Sequence, residues 1–316
     1  MLRSVILAAA RSPRVQHLVT HAPVSRGVVA RFVGGADTAS GVAAAGRLID
    51  AGMTVTMDHL GEDTTDRAHA DAVVAEYRTL LAALHDAGLT KRLGPLTARA
   101  EVSVKLSAIG QALGDDGHAI ALDGAREICA AAHAVDATVT LDAEDHTTTD
   151  STLQILTELR RDYPDTAAVL QSYLRRTLSD CRDLATAGSR IRLCKGAYRE
   201  PASVAYQQAE DVDLSYVRCT NVLLAGDGYP MFATHDPRLI AIAGERAKFH
   251  GKAPDEFEFQ MLYGIRPDEQ RRLARDGHLV RVYVPYGAQW YGYLMRRLAE
   301  RPANLAFFGR ALLSKG

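Results

Sequence analysis

The sequence predicts an α/β chain folded as a parallel (βα)8 barrel. Short apolar runs rich in β-branched residues recur eight times along the 316 residues. The segments between them carry helical periodicity, and repeated strand–helix alternation is the signature of a parallel barrel. A doubly wound sheet would usually place a Gly-x-Gly-x-x-Gly turn after its first strand. Here that stretch reads Met57-Asp58-His59-Leu60-Gly61-Glu62.

The expected strands are Met53–Met57, Val102–Lys105, Thr138–Asp142, Ala168–Tyr173, Ile191–Lys195, Met231–Thr234, Phe257–Leu262 and Leu279–Val284. Among the helices, Ala70–Ala87 sets Val73, Val74, Tyr77, Leu80, Leu81 and Leu84 on one stripe, and Ser151–Arg161 does the same with Leu153, Ile155, Leu156 and Leu159. Gly88 and Gly188 read as helix stops. Asp268, followed by Arg271-Arg272, opens a short helix before the last strand. Residues 1–50 read as a helical extension outside the barrel and 51–301 as the barrel with one further helix, the whole of 1–316 forming a single domain.

Lys and Arg total 37 against 38 Asp and Glu, which excludes the basic excess of a nucleic-acid binder. Cys129, Cys181, Cys194 and Cys219 form no Cys-x-x-Cys pair and read as free thiols of a reducing cytoplasm. No apolar run is long enough to span a bilayer. Met1–Ala10 has the outline of a small signal peptide, but its apolar stretch is short and Arg11 and Arg14 follow at once, so an amphipathic helix is the preferred reading. Leu305-Ala306-Phe307-Phe308 with Leu312-Leu313 is amphipathic; packing on the barrel is preferred over a peripheral contact with the inner membrane.

A barrel carries its active site at the C-terminal ends of its strands. Those ends hold Asp58 and His59; Lys105; Asp142 and Glu144; Gln171; Arg192 and Lys195; Thr234, His235 and Asp236; Gln260 and Leu262; and Tyr283. Any one could be a solvated surface group. Lys105, Asp142, Gln171 and Arg192 sit inside otherwise apolar strands, however, and buried charges need partners. In the last helix, Tyr293, Arg296, Arg297 and Glu300 share one face. Two adjacent arginines there could clamp a carboxylate, with Glu300 a turn beyond to hold them. A solvated helix with a surface ion pair is the plain alternative.

These motifs resemble the proline dehydrogenase family. Arg192-Leu193-Cys194-Lys195-Gly196-Ala197-Tyr198 is similar to its Arg-Leu-x-Lys-Gly-Ala-Tyr signature, and Tyr293-Leu294-Met295-Arg296-Arg297-Leu298-Ala299-Glu300 to its substrate helix. Lys105, Leu141-Asp142-Ala143-Glu144, Ala233-Thr234-His235, Phe259-Gln260-Met261-Leu262-Tyr263-Gly264 and Arg281-Val282-Tyr283-Val284-Pro285-Tyr286-Gly287 follow the family order. The resemblance implies a distorted TIM-type (βα)8 barrel with extra N-terminal helices. It implies FAD as cofactor and oxidation of L-proline to 1-pyrroline-5-carboxylate by hydride transfer to flavin N5. Electrons would pass to a membrane quinone, and a separate 1-pyrroline-5-carboxylate dehydrogenase would take the product.

The resemblance also implies roles. Arg296, Arg297 and Lys105 bind the proline carboxylate. Tyr283, Tyr293 and Leu262 pack around the ring. Asp142 orients Tyr283, and Arg192 lies beside N5, where a cation stabilises the reduced ring. Ala143, Gln171, Lys195, Gly196, Ala197, Thr234 and His235 meet the cofactor, Gly196 by letting the backbone come close. Arg199 stands where some relatives have Trp. Rival readings from the residues alone are a Schiff-base aldolase using Lys105 or Lys195, a metal hydrolase using His59, Asp142, Glu144, His146 or His235, and a non-catalytic binding barrel.

Overall fold

The computed structural model describes residues 29–61 and 64–300, the last five by backbone alone. The expected helices in residues 1–28 and the amphipathic stretch at 305–316 lie outside the described residues. Eight parallel strands close into a barrel in sequence order. They are β1 (Thr54–His59), β2 (Ala100–Val104), β3 (Thr138–Leu141), β4 (Ala167–Gln171), β5 (Arg190–Cys194), β6 (Tyr229–Ala233), β7 (Glu258–Leu262) and β8 (Val280–Tyr286). The helices are α1 (Thr38–Asp50), α2 (Arg67–Asp86), α3 (Gly117–Ala134), α4 (Thr149–Leu159), α5 (Thr177–Leu184), α6 (Ala209–Ala225), α7 (Pro237–Phe249), α8 (Pro267–Arg275) and α9 (Trp290–Glu300).

Local chemistry sets the helix ends. Asp66 caps α2 by accepting from the His69 amide at 2.8 Å, so the helix starts at Arg67, three residues before the expected Ala70. Gly88, at φ 68°, follows the end of α2 as a left-handed stop. Gly188 plays a different part. Helix α5 ends at Leu184, and Gly188 (φ 78°) sits in the turn that leads into β5, closed by the Ser189 amide donating to the Thr186 carbonyl.

Outward strand residues such as Val55, Met57, Val102, Val104, Leu141, Phe259, Met261, Val282 and Val284 are buried against the surrounding helices. The inward face is polar. Thr56, Glu101, Ser103, Thr138, Thr140, Arg190, Arg192, Glu258, Gln260 and Arg281 are all buried. Contacts between Glu101 and the two β5 arginines join strands that are not neighbours in the sheet, so they cross the lumen.

The barrel is distorted at its closing seam. Helix α1 packs on the outer faces of β8 and β1 and against α2, where a regular barrel would place the helix that follows β8. Helix α9 goes to the mouth instead: Tyr293 packs with Leu60, just past the end of β1, and with Val33. Residues 29–32 are helical. The Gly34 amide donates to the Pro285 carbonyl at 2.8 Å and the Gly287 amide to the Gly35 carbonyl at 2.9 Å, so the N-terminal segment lies on the mouth beside β8 rather than clear of the barrel. No helix among the described residues is long and apolar enough to cross a membrane. All four cysteines are free thiols.

Candidate active site

Alternation along the strands stacks inward side chains in layers. At the floor, Arg281 donates to Glu258 at 2.7 Å and 3.2 Å and to the carbonyls of Val55 and Ala98. Both side chains have no exposed surface. One layer up, Glu101 accepts from Arg190 at 2.5 Å, Arg192 at 2.8 Å and the hydroxyls of Thr56 and Thr138. Burial pushes the Glu101 carboxyl up, but Arg190, Arg281 and Arg192 together outweigh that and hold it well below the usual carboxylate range.

Arg192 is the hub of the next layer. Its Nη1 donates to Asp142 at 2.9 Å and to Ser103 at 3.0 Å, and its Nη2 to Glu101. Ser103 donates in turn to Asp142 at 2.6 Å, and Tyr283 donates to the other Asp142 oxygen at 2.7 Å. The guanidinium carbon lies 5.4 Å from the centre of the Tyr283 ring. Desolvation lowers the Arg192 pKa and Glu101 and Asp142 raise it further, for a net rise, so it remains a cation.

At the rim, Lys105 donates to both oxygens of Asp58 at 2.8 Å and 3.0 Å. Burial raises the Asp58 carboxyl to about 6; Lys105 pulls against that rise and Asp142 adds to it. Glu144 is raised by burial, against hydrogen bonds from the Ser107 amide and hydroxyl. Gln171 donates to the Glu144 carbonyl at 2.8 Å. His235 accepts from the Leu262 amide at 2.9 Å, which ties the end of β6 to the end of β7.

The expected site residues thus fall into two groups. Asp142, Arg192 and Tyr283 form one bonded cluster inside the mouth. Lys105, Gln171, Ala143, Leu262 and His235 stand at strand ends around it, and buried Tyr293 comes to the same end on α9. Lys195 is engaged elsewhere, with Asp213 at 2.5 Å and Asp236 at 3.3 Å on the β5–β6 side. Thr234 accepts there from the Asp236 amide at 3.1 Å. Gly196, at φ 111°, needs its missing side chain for an internal reason: a Cβ would lie 2.3 Å from the Tyr173 ring. Ala197 follows it in the exposed loop. The side chains of Arg296 and Arg297 lie outside the described atoms; their backbone belongs to α9.

Sequence reasoning missed Glu101, Ser103, Arg190, Glu258 and Arg281, and gave Asp58 no partner. Counting back by two from Lys105 and Arg192 would have reached Ser103, Glu101 and Arg190. The rivals fare poorly here. Both lysines are paired with carboxylates, Lys105 with Asp58 and Lys195 with Asp213, whereas a Schiff-base lysine needs its amine available to attack a carbonyl. His146 is bonded to Glu200, Glu144 to Ser107 and Asp142 to Arg192.

Three buried polar atoms on the lumen face lack a partner among the described residues, Arg190 Nε, Arg192 Nε and Thr140 Oγ1, and of these Arg192 Nε lies in the layer of Asp142 and Tyr283. Buried donors are rarely left so. A donor held against an aromatic ring beneath the mouth suits a flat heteroaromatic group rich in acceptors, and a flavin ring fits that requirement.

A sequence model of the family described as Proline dehydrogenase matches residues 42–310. Proline dehydrogenase of Deinococcus radiodurans is 38% identical over 315 residues, 99% of this chain and 98% of the relative. Proline dehydrogenase 1 of Bacillus subtilis is 37% identical over 285 residues, 90% of each chain. Among solved structures, proline utilization A (PutA) of Bdellovibrio bacteriovorus, inactivated by N-propargylglycine, superposes with a TM-score of 0.77 at 26% identity, over 86% of this chain and 32% of that one. On a match of this length and two relatives covered nearly end to end, the chain belongs to the proline dehydrogenase family.

Proposed function

We propose that this chain oxidises L-proline to 1-pyrroline-5-carboxylate with FAD as its cofactor. The observation that carries the reading is Arg192, a buried cation fixed on both Nη atoms and left with a free Nε–H beneath the barrel mouth. When bound, FAD supplies the hydride acceptor. Arg192 favours negative charge on a ring placed against it. Asp142 bonds both Arg192 and Tyr283; Asp142 and Arg192 are the catalytic assignment, Asp142 orienting and Arg192 polarising.

Ala143, Gln171, Lys195, Gly196, Ala197, Thr234 and His235 are the cofactor contacts in this reading, spread over the ends of β3 to β6. Lys105, with Arg296 and Arg297 of α9, takes the substrate carboxylate. Leu262, Tyr283 and Tyr293 close around the ring, whose fixed position hydride transfer requires. The reading extends to one domain over 1–316, to a membrane quinone as electron acceptor reached from the cytoplasmic side, and to a separate dehydrogenase for the product.

The test is the visible spectrum of the purified protein before and after anaerobic addition of L-proline. A flavin band that bleaches with L-proline, but not with D-proline or leucine, is expected. A colourless protein that cannot be reconstituted with FAD refutes the reading. Borohydride trapping at Lys105 or Lys195 would then test the aldolase.

A further inference from the structure

Glu101 lies at the bottom of the candidate site, fully buried, on the same face of β2 as Ser103 and Lys105. Its two oxygens take four donors: Thr56 and Arg192 on one, Arg190 and Thr138 on the other. Four donors fill the lone-pair sites of a carboxylate, so Glu101 cannot turn without breaking at least one charged contact. Among the described residues it is also the one partner of Arg192 Nη2, since Asp142 and Ser103 both hold Nη1. A guanidinium is a rigid planar fork. Pinning Nη1 from β2 and β3 and Nη2 from Glu101 therefore fixes the direction of the third donor, Nε–H, which has no partner among the described residues.

We propose that Glu101 is a positioning residue for the redox centre: it aims the Arg192 Nε–H at the bound ring and sets the net charge the ring meets. This deepens the proposed function and rests on its flavin assignment. Glu101 reaches the ring only through Arg192. One anion serving two arginines leaves Arg192 partly neutralised. Removing that anion leaves more positive charge under the ring, so electron uptake becomes easier while the aim of Nε is lost.

The experiment is Glu101→Gln in the FAD-loaded protein, read by flavin-to-protein ratio, by the flavin midpoint potential against a reference dye, and by the anaerobic rate of reduction with L-proline. Flavin content is expected to hold. The potential is expected to rise by a tenfold change in the equilibrium constant or more, about 30 mV for a two-electron couple, while reduction slows at least tenfold because the donor is misaimed. A structural role alone would lower the unfolding midpoint and leave the potential where it was. If the single variant does not fold, Glu101→Gln with Arg190→Met removes a matched pair and strands less charge. In that double variant the slowed reduction is still expected. A loaded variant of either kind with unchanged potential and unchanged reduction rate overturns the proposal. Wild-type protein that binds no flavin overturns the functional reading, and the Glu101 assignment with it; normal wild-type flavin chemistry beside an unshifted Glu101→Gln overturns only the latter.

Discussion

Replacing Tyr283 by Phe removes one oxygen atom and tests whether the Asp142 contact orients the pocket. The hydroxyl donates to Asp142 Oδ2 at 2.7 Å, while Oδ1 takes Arg192 and Ser103. Burial first, and the neighbouring Asp142 charge second, push the phenol well above its ordinary pKa, so it stays a donor through the working range. A hydrogen bond to a charged group contributes about 1.5–3 kcal/mol. Asp142 keeps 12% of its side-chain surface exposed, so water can replace part of the loss in the resting protein, and the stability cost belongs near the lower end. If the contact holds Tyr283 in its reacting position, the same energy appears as a roughly ten- to hundredfold fall in kcat/KM for L-proline. The Phe ring would still lie against Arg192, which separates the hydroxyl from the ring. A double-mutant cycle with Asp142→Asn, scored by anaerobic flavin reduction and by urea unfolding, should give a coupling of about 1–2 kcal/mol. Wild-type kcat/KM in Tyr283→Phe with a coupling under about 0.5 kcal/mol would refute the orienting role.

Arg296→Met or Arg297→Met should raise the KM for L-proline roughly tenfold or more, the loss of one charge-assisted contact, with flavin content unchanged; loss of FAD in either variant would contradict the carboxylate role. Asp58 has its carboxyl raised from 3.8 to about 6, so the folded chain binds that proton more tightly than the unfolded chain does. The stability this contributes is fully present below the unfolded value and is lost as pH rises through about 6. Asp58→Asn should therefore flatten the change in urea midpoint between about pH 4 and pH 7, and an unaltered pH dependence would show that Asp58 does not titrate there. Arg281→Met strands Glu258 in the floor and should cost roughly 3–5 kcal/mol, with Glu258→Gln beside it recovering most of the loss. A single variant within about 1 kcal/mol of wild type by urea unfolding would show the pair to be dispensable.

The strands were legible where their outward residues are apolar and short at the ends where inward charge interrupts the run. β2 begins at Ala100, two residues before the expected Val102, because Glu101 looks like a break in the sequence yet points into a polar lumen. β5 begins at Arg190 for the same reason. β8 continues past Val284 through Pro285 to Tyr286, because Pro285 pairs with Asp58 in the ladder and its carbonyl accepts from the Gly34 amide. Of the site, the Asp142–Tyr283 contact was foreseen through the family resemblance. The Lys105–Asp58 and Arg192–Glu101 pairs were not, because the partners are 47 and 91 residues apart. Which inward residues meet across a lumen depends on the stagger of the closed sheet, and strand periodicity alone does not fix that stagger.

The inward charges of the barrel balance. Asp58, Glu101, Asp142 and Glu258 face Lys105, Arg190, Arg192 and Arg281, each within hydrogen-bonding distance of an opposite charge. Among the described residues, a lumen so balanced has no surplus cation with which to receive an anion. In the proposed role, Lys105 would meet a substrate carboxylate while already bonded to Asp58. On the proposed reading, the positive charge that matches the proline carboxylate must come from outside the barrel wall, and α9 carries adjacent Arg296 and Arg297. The proposed role gives a reason for the distortion at the closing seam. A helix kept on the wall after β8 would hold those arginines away from the mouth, whereas α1 takes the wall position against β8 and β1 and α9 is set at the strand ends by Tyr293 against Leu60 and Val33. On that reading, the fold departs from regularity at the place where the chemistry needs charge that a buried, self-neutralised lumen cannot supply.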